Sequence, residues 1–435
     1  MTVAVVIAGV VPSPDSSGSA LTVWTIVRYL LERGHDVGVV VLLDKSHEDP
    51  GTDFDQRLTD LRALGVEVRV VPSRSGELYE QMNVDLRSRL RRIWRPTDEE
   101  LFPSLTDARS VGGAVEELGP DVAYVYGWEA IAATRTLRAR IPRLATVVDP
   151  PHLSLLYRWR ALPSHLGRDA ITGLIRLQGR LRHQPRLMVE LLNECEASAN
   201  LAAHHAAWLR SRGAAGCEYL RTPVEDRPGP GWREARERGS GSRPRLLLIG
   251  HLRGISTQDG LDLFAESVLP RLEAALGPDG FEARLAGGYE APLDLRAALD
   301  RPSVRFLGHL RQPDEEFSAA VGLVVPTSIP LGTRVRIISA FSFGCPVVAH
   351  EANAKGIPEL SDGDNVLLGR SGAELADGFV HLVRDAELRE RLGTRGRETY
   401  ERFFAPPIAG ARVEDTLRRI SLARRRPSDP ASVAA

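Results

Sequence analysis

The chain has 435 residues, 43% apolar and 26% charged, an ordinary globular composition with room for two or three domains. Lys+Arg of 56 against Asp+Glu of 57 leaves a formal charge of -1, so no global basic field argues for nucleic acid. Three scattered cysteines, Cys195, Cys217 and Cys345, lack metal spacing and fit a reduced cytoplasm, while the N-terminus lacks a signal-peptide pattern and no window reaches the ~18 apolar residues of a membrane span.

Val3 to Val11 is a continuous apolar run that predicts a parallel strand buried on both faces. A small-residue loop, Pro12 to Ser19, follows it and includes Gly18. Leu21 to Glu32 has helical periodicity, and His35 to Leu43 predicts a second strand. Ligands of such β-loop-α-β units bind outside the carboxyl ends of the strands, which puts the Gly18 loop in the cleft. No strict dinucleotide fingerprint is present. Further strands are expected at Val66–Val71, Val122–Tyr126, Arg143–Val148, Cys195–Leu201 and Glu218–Leu220. Helices are expected at Glu77–Trp94, Val111–Leu118 and through an arginine-rich insertion, Ser154–Asn193. Asp149 and His152 follow the Arg143–Val148 strand, where polar residues can meet substrate as acid-base or hydroxyl-binding groups, or simply brace a loop. His204 and His205 are adjacent on a helix and expected to point in different directions, so they are read as non-ligands.

Thr222 to Pro244 is dominated by Pro, Gly and charge and reads as an interdomain linker. A second β-α series follows. Its strands are expected at Leu246–Ile249, Phe281–Ala286, Ser303–Leu307, Leu323–Val325 and Pro346–His350. Its helices are expected at Gln258–Leu276, kinked at Pro270, and at Asp314–Ala320, Gly372–Leu392 and Pro407–Ala423. The expected division is an N-terminal domain 1–221, a linker 222–244, a second domain 245–405, and a C-terminal helix with a frayed tail 406–435. The fold class is α/β, with two doubly wound Rossmann-like domains facing a cleft.

Pro326 to Arg370 is the most informative stretch. The loop Ser328–Thr333 contains Gly332 and Thr333 and feeds a helix expected at Arg334–Phe343. A helix N-terminus offers free N–H groups and the positive end of a dipole, which can hold a phosphate. Arg334 and Arg336 sit where cations oppose that dipole. An anionic ligand explains them better than helix stability does.

These residues resemble the GT-B glycosyltransferases, most closely family GT4, the retaining nucleotide-sugar transferases. The resemblance is carried by RGHDV (Arg33–Val37), TPVED (Thr222–Asp226), LLLIGHL (Leu246–Leu252), VRFLGHL (Val304–Leu310), GTRVRIISAFSFGCPVVAH (Gly332–His350) and KGIPELSDGDNVLL (Lys355–Leu368). It implies the GT-B fold, a first domain that binds acceptor and a second that binds donor. It places phosphate binding on Arg334 and Arg336, with His251 and Arg253 second in rank. Gly18, Gly250, Gly308, Gly332, Thr333 and Ser339 are the implied donor-loop contacts. The chain also departs from the family. The two donor-site glutamates fall on Leu331 and Ser339, the loop cations on His251 and near Gln258 or Asp259, and the fifth-strand histidine on Val148.

The expected activity is transfer of a sugar from a nucleoside diphosphate donor, GDP- or UDP-type, to a small or specialised-metabolite acceptor through O, N or S, as in natural-product biosynthesis. Retention, no metal and no further cofactor are expected. The alternatives are a catalytically silent nucleotide-binding relative and a nucleotide-sugar epimerase. The expected partners are the nucleotide sugar and the acceptor, without nucleic acid or a membrane span, and a homodimer is left open.

Overall fold

The computed structural model describes residues 1–43, 54–74, 96–161, 168–239 and 243–425, with side chains 158–176 excluded. The helix expected at Glu77–Trp94, with Arg87, Arg89, Arg91 and Arg92, lies outside the described residues, as does the tail beyond 425.

Two parallel sheets carry the architecture. The first holds β1 (Thr2–Ala8), β2 (Asp36–Leu43), β3 (Glu67–Pro72), β4 (Val122–Tyr126), β5 (Arg143–Val147), β6 (Ala197–Asn200) and β7 (Cys217–Tyr219), in the order β3-β2-β1-β4-β5-β6-β7. The second holds β8 (Arg245–Ile249), β9 (Glu282–Ala286), β10 (Val304–Gly308), β11 (Gly322–Val325), β12 (Val347–His350) and β13 (Leu367–Gly369), in the order β10-β9-β8-β11-β12-β13. The strand order reverses beside β1 and β8, the switch points at which open α/β sheets bind ligands. The apolar runs become strands because both of their faces are covered: Val3 to Val6 and Leu246 to Leu247 are almost fully buried between helices.

Several elements differ from the sequence expectation. The 222–244 segment is not a bare linker. It contains the helix Trp232–Gly239, whose Arg236 donates to the carbonyls of Phe317 and Ala320 at 3.2 and 3.0 Å. Trp232 lies against Gly344, whose φ of 59° already suits glycine. The expected kinked helix Gln258–Leu276 is instead Ile255–Leu263, a π turn Phe264–Val268 and Leu269–Leu276. The π turn absorbs the missing Pro270 N–H by changing the hydrogen-bond pattern upstream of it. The helix expected at Gly372–Leu392 is two helices, Gly372–Arg384 and Ala386–Phe403, because Asp385 leaves helical dihedrals and its carboxylate accepts from Leu388 N. The insertion after β5 is likewise two helices, Pro151–Ala161 and Arg168–Asn193.

The last helix, Pro406–Arg425, crosses back to the first sheet. Its Glu414 is 3% exposed and accepts from Tyr29 Oη at 3.2 Å and Arg33 Nε at 3.2 Å, with His35 Nε2 at 2.9 Å. Val413, Leu417 and Ile420 complete the core around β1 and β2. No helix among the described residues is long and apolar enough to cross a membrane.

Candidate functional site

A cavity of about 540 Å³ lies between the two sheets at the carboxyl ends of β1, β8 and β9. The first half contributes the Gly9–Val11 turn and the 14–18 loop, and the second half contributes Gly250, His251, Tyr289, His309 and the 333–336 segment. Two helices aim their N-termini into it. One is Gly18–Glu32, capped by Ser17, whose hydroxyl accepts from Ala20 N. The other is Val335–Ser342. A Cβ on Gly18 would lie 3.0 Å from Val335 Cγ2, so the glycine allows the two N-termini to approach. The facing N–H groups and dipoles favour an anion.

The arginines occupy the centre. Arg334 precedes the helix as its N-cap, with φ −88° and ψ 85°, and is therefore outside the first turn in which the sequence expectation placed it. It is 9% exposed, donates from Nη2 to Ile329 O at 3.1 Å, and leaves Nε buried and unpaired. Arg336 donates to Ile249 O at 2.9 Å, Thr257 Oγ1 at 3.3 Å and Thr327 Oγ1 at 3.0 Å, and its Nε is also buried and unpaired. Gly250 has no side chain where the Arg336 guanidinium lies. Among the described residues neither arginine has a carboxylate within ion-pair distance. Burial pushes Arg336 down to about 9, helped by the neighbouring Arg334 charge, and burial also lowers Arg334 against the pull of Asp149 and Asp259. Both remain cations at neutral pH. Two buried cations with unpaired Nε groups and only neutral acceptors form a positive site suited to an anion.

The loop that presents them is fixed by Asp259. Its carboxylate accepts from Ser328 N at 2.6 Å and Ser328 Oγ at 3.0 Å. Thr333 donates to Leu201 O across the cleft. His204 lies within 2.9 Å of both Pro330 O and Lys355 O, and Ala203 N donates to Gly356 O at 3.2 Å. The start of the Ala203–Ser211 helix therefore docks on the donor-side loop.

Of the other sequence candidates, Gly18, Gly250, His251, Thr333 and Ser339 line the cavity with the arginines. His251 has its ring 4.2 Å from that of Tyr289, a residue at φ 70°. Arg253 and Gly308 are not among the lining residues. Arg253 stacks 5.8 Å over Tyr289 and donates to Glu290 O at 3.4 Å, and Gly308 at φ 70° makes the turn that accepts from Gly287 N at 2.8 Å. Leu331, at 1% exposure, faces the core.

Asp149 and Gly332 lie beside the cavity, next to Arg334. The Asp149 backbone carbonyl accepts from Trp128 Nε1 at 3.0 Å, and a Cβ on Gly332, at φ 62°, would come within 2.9 Å of Asp149 Oδ1. Burial pushes the Asp149 carboxyl up to about 6, with Arg334 opposing. His152 is 3% exposed, 5.6 Å from the Trp208 ring, and pushed down to about 4 by burial and Arg212, so it is neutral at pH 7 and removed from the cavity. The two adjacent histidines do not diverge as expected: their ring centroids are 3.9 Å apart, and His205 Nδ1 is 3.5 Å from Asp149 Oδ1. The helix begins one residue before His204, and its docking on Pro330 and Lys355 turns that ring back over its neighbour.

Sequence reasoning also missed Asp15, Arg57 and His309. Asp15 lies 3.6 Å from Arg57 Nε, 3.8 Å from His309 Nε2 and 3.5 Å from Arg311 Nε, linking the two halves at the cavity mouth. Asp15 and His309 stood in loops already marked by their strands, whereas nothing around Arg57 signalled its place. Among the described residues no group of three or more His, Cys, Asp or Glu side chains is placed to hold a metal ion.

Residues 243–385 match the family model of glycosyl transferases group 1. The whole chain superposes on sucrose-phosphate synthase from Thermosynechococcus elongatus with a TM-score of 0.66 at 15% identity, covering 97% of this chain and 99% of that one. It superposes on Anabaena HepE in complex with UDP and glucose with a TM-score of 0.63 at 16% identity, covering 96% and 99%. A glycosyltransferase from Rickettsia africae gives 0.63 at 10% identity, covering 96% and 98%. At such identities the likeness establishes the fold, which is GT-B with two Rossmann-like domains. A search of curated protein sequences returns no match.

Proposed function

We propose that this GT-B chain, with its group 1 glycosyl transferase match over residues 243–385, moves a sugar from a nucleoside diphosphate sugar to a hydroxyl, amine or thiol of a small acceptor. The observation that carries this reading is the pair of buried, carboxylate-free arginines between two facing helix N-termini. A diphosphate supplies the negative charge that Arg334 and Arg336 lack, and the cavity beside them has room for a nucleoside. HepE was solved with UDP and with UDP-glucose, which inclines the reading to UDP, with GDP as the other base.

In the reaction, the bond from the anomeric carbon to the diphosphate oxygen breaks as the acceptor atom bonds to that carbon. The diphosphate leaves carrying the electron pair. Arg334, Arg336 and the N–H groups of the Val335–Ser342 helix stabilise this developing charge, the largest contribution such a site can make. Neither arginine gives up its proton at neutral pH, so both act as clamps. The acceptor proton passes to the departing diphosphate oxygen on the same face, which makes the transfer retaining. No protein base and no metal is needed on this path. The family 4 assignment belongs to the same reading.

Arg334→Ala is the decisive variant, because among the described residues its guanidinium makes a single hydrogen bond, to Ile329 O. Losing one charge-assisted contact to phosphate should weaken UDP or GDP binding about 10- to 150-fold in calorimetry. Unchanged affinity would refute the diphosphate assignment. Release of free sugar from a panel of nucleotide sugars distinguishes a working transferase from a silent binder.

A further inference from the structure

One imidazole of the first domain grips the arginine-bearing loop of the second. His204 stands in the first turn of the Ala203–Ser211 helix, and its ring lies between two carbonyl oxygens of the opposite domain. Nδ1 is 2.9 Å from Lys355 O and Nε2 is 2.9 Å from Pro330 O. A carbonyl oxygen only accepts, and a neutral imidazole carries one N–H and one lone pair. In either tautomer the neutral ring satisfies one carbonyl and turns its lone pair on the other, whereas the imidazolium donates to both. Neighbouring bonds fix the ring in this place. Thr333 donates to Leu201 O, and Ala203 N donates to Gly356 O at 3.2 Å. Gly356 packs on Gly332 O so closely that any Cβ would collide with it. The Pro330 and Lys355 carbonyls therefore belong to one packed unit. That unit leads directly into Arg334, whose Nη2 donates to Ile329 O at 3.1 Å. Where the loop carbonyls are held decides where the Arg334 guanidinium points.

We propose that His204 is a positioning residue that takes a proton from solvent when the donor diphosphate binds, and in that form locks the 329–334 loop across the cleft. This deepens the transferase reading and rests on it. The groups that face the ring come from three elements. His205, on the same helix, stacks with its centroid 3.9 Å away and is backed by Asp149, 3.5 Å from its Nδ1. Arg334 faces it from the loop and Lys355 from the Glu351–Lys355 turn. Burial lowers the proton affinity of His204 most, the Pro330 and Lys355 carbonyls raise it, and the Lys355 and Arg334 charges lower it, leaving it below the ordinary value. A diphosphate on Arg334 offsets one of those two cations, so its arrival shifts the ring towards the imidazolium. The coupling is reciprocal: the anion raises the proton affinity of His204, and the proton tightens the hold on the anion by the same factor. His205 does not compete for this proton, because burial and the His204, His152 and Arg334 charges push it down to about 3. Asp149 does compete, since burial pushes its carboxyl up to about 6 against Arg334, and an anion on Arg334 raises it further.

The test is calorimetric titration of the full chain with UDP-glucose and GDP-mannose, in buffers of different ionisation heat, which counts the protons taken up per donor bound. These probes are chosen because a diphosphate esterified at both ends does not itself titrate near neutrality. The intact protein should take up protons at about pH 6.5, the ordinary histidine value, and bind donor about fivefold more tightly there than at about pH 8, the lower end of such couplings. His204→Gln offers an amide donor to one carbonyl and cannot gain a charge. It should lose most of the uptake and flatten the pH profile, while Asp149→Asn should leave the His204 share in place. Thermal melting confirms that both variants fold. Uptake that survives His204→Gln and vanishes in Asp149→Asn would overturn the proposal, as would equal weakening of His204→Gln at both pH values, the mark of a merely structural contact. In the intact protein alone, donor binding without proton uptake or pH dependence would refute it while leaving the diphosphate reading standing. If neither nucleotide sugar binds the intact chain, the donor reading fails and takes this inference with it.

Discussion

Asp149→Asn should stabilise the protein at neutral pH. The carboxyl is held at a raised pKa, about 6 against 3.8, because burial disfavours its charge more than Arg334 favours it. Every tenfold change in proton affinity corresponds to ~1.4 kcal/mol, so the rise from 3.8 to about 6 sets an upper bound of about 3 kcal/mol. The side chain is 27% open to the cleft, and solvent there reduces the expected gain to about 1–2 kcal/mol. The sign follows from proton linkage. Below the unfolded value of 3.8 both states hold the proton and nothing is lost. As pH rises towards 6 the unfolded chain releases a proton that the folded chain retains, so wild-type stability falls, and it levels off above that point. Asparagine does not titrate. The variant's advantage should therefore be small near pH 4.5, grow to about pH 6 and stay constant to pH 8. His152 and His205 have pKa values lowered to about 4 and about 3, so both are neutral above pH 6, where the difference between the two proteins reports Asp149. Urea denaturation across this pH range measures it. A variant less stable than wild type at pH 7.5 would show that the carboxylate is a net structural asset and would remove the case for its being held ready for a ligand.

Gly332→Ala combines a left-handed backbone with a Cβ crowding Asp149, and should lower stability by about 1–2 kcal/mol; thermal melting and sugar release from UDP-glucose should both fall. Glu414→Gln removes a buried charge that receives Tyr29, Arg33 and His35 and should cost about 3 kcal/mol at pH 7. Burial alone would raise the pKa of this carboxyl, but its hydrogen bonds and Arg418 lower it below 4.5, so the contribution is present above 4.5 and lost as pH falls through the lowered value. The loss on mutation should shrink in acid, as read by denaturant titration. Asp259→Ala frees the backbone of Ser328 and Ile329 and should weaken UDP binding in calorimetry while costing about 1–3 kcal/mol of stability. Intact UDP affinity in that variant would mean that the arginines need no help from the loop.

Much of the fold was legible because its signals are local. Apolar runs such as Val3–Val6 can only be strands covered on both faces, and Gly344 and Gly277 mark helix ends at positive φ. The π turn before Pro270 and the break at Asp385 were not legible, because each is settled by a hydrogen-bond choice that periodicity does not record. The last helix was visible as a helix, but its return to the first sheet depends on Glu414 meeting Tyr29, Arg33 and His35 almost four hundred positions away.

The site divides in the same way. The sequence alone determined that Arg334 and Arg336 stand at a loop-to-helix junction where a dipole repels cations, and that Asp149 ends a parallel strand. Both facts depend on near neighbours in the chain. The tertiary structure decided that the two guanidinium groups are buried without a carboxylate, that Leu331 turns inward, and that Arg253 lies outside the cavity. It also decided that His205 meets Asp149. That contact arises because β5 and β6 are adjacent strands and the Ala203–Ser211 helix docks on the Pro330 loop. Burial and long-range proximity set charge states and empty hydrogen-bonding valences, and neither quantity is encoded in spacing along the chain.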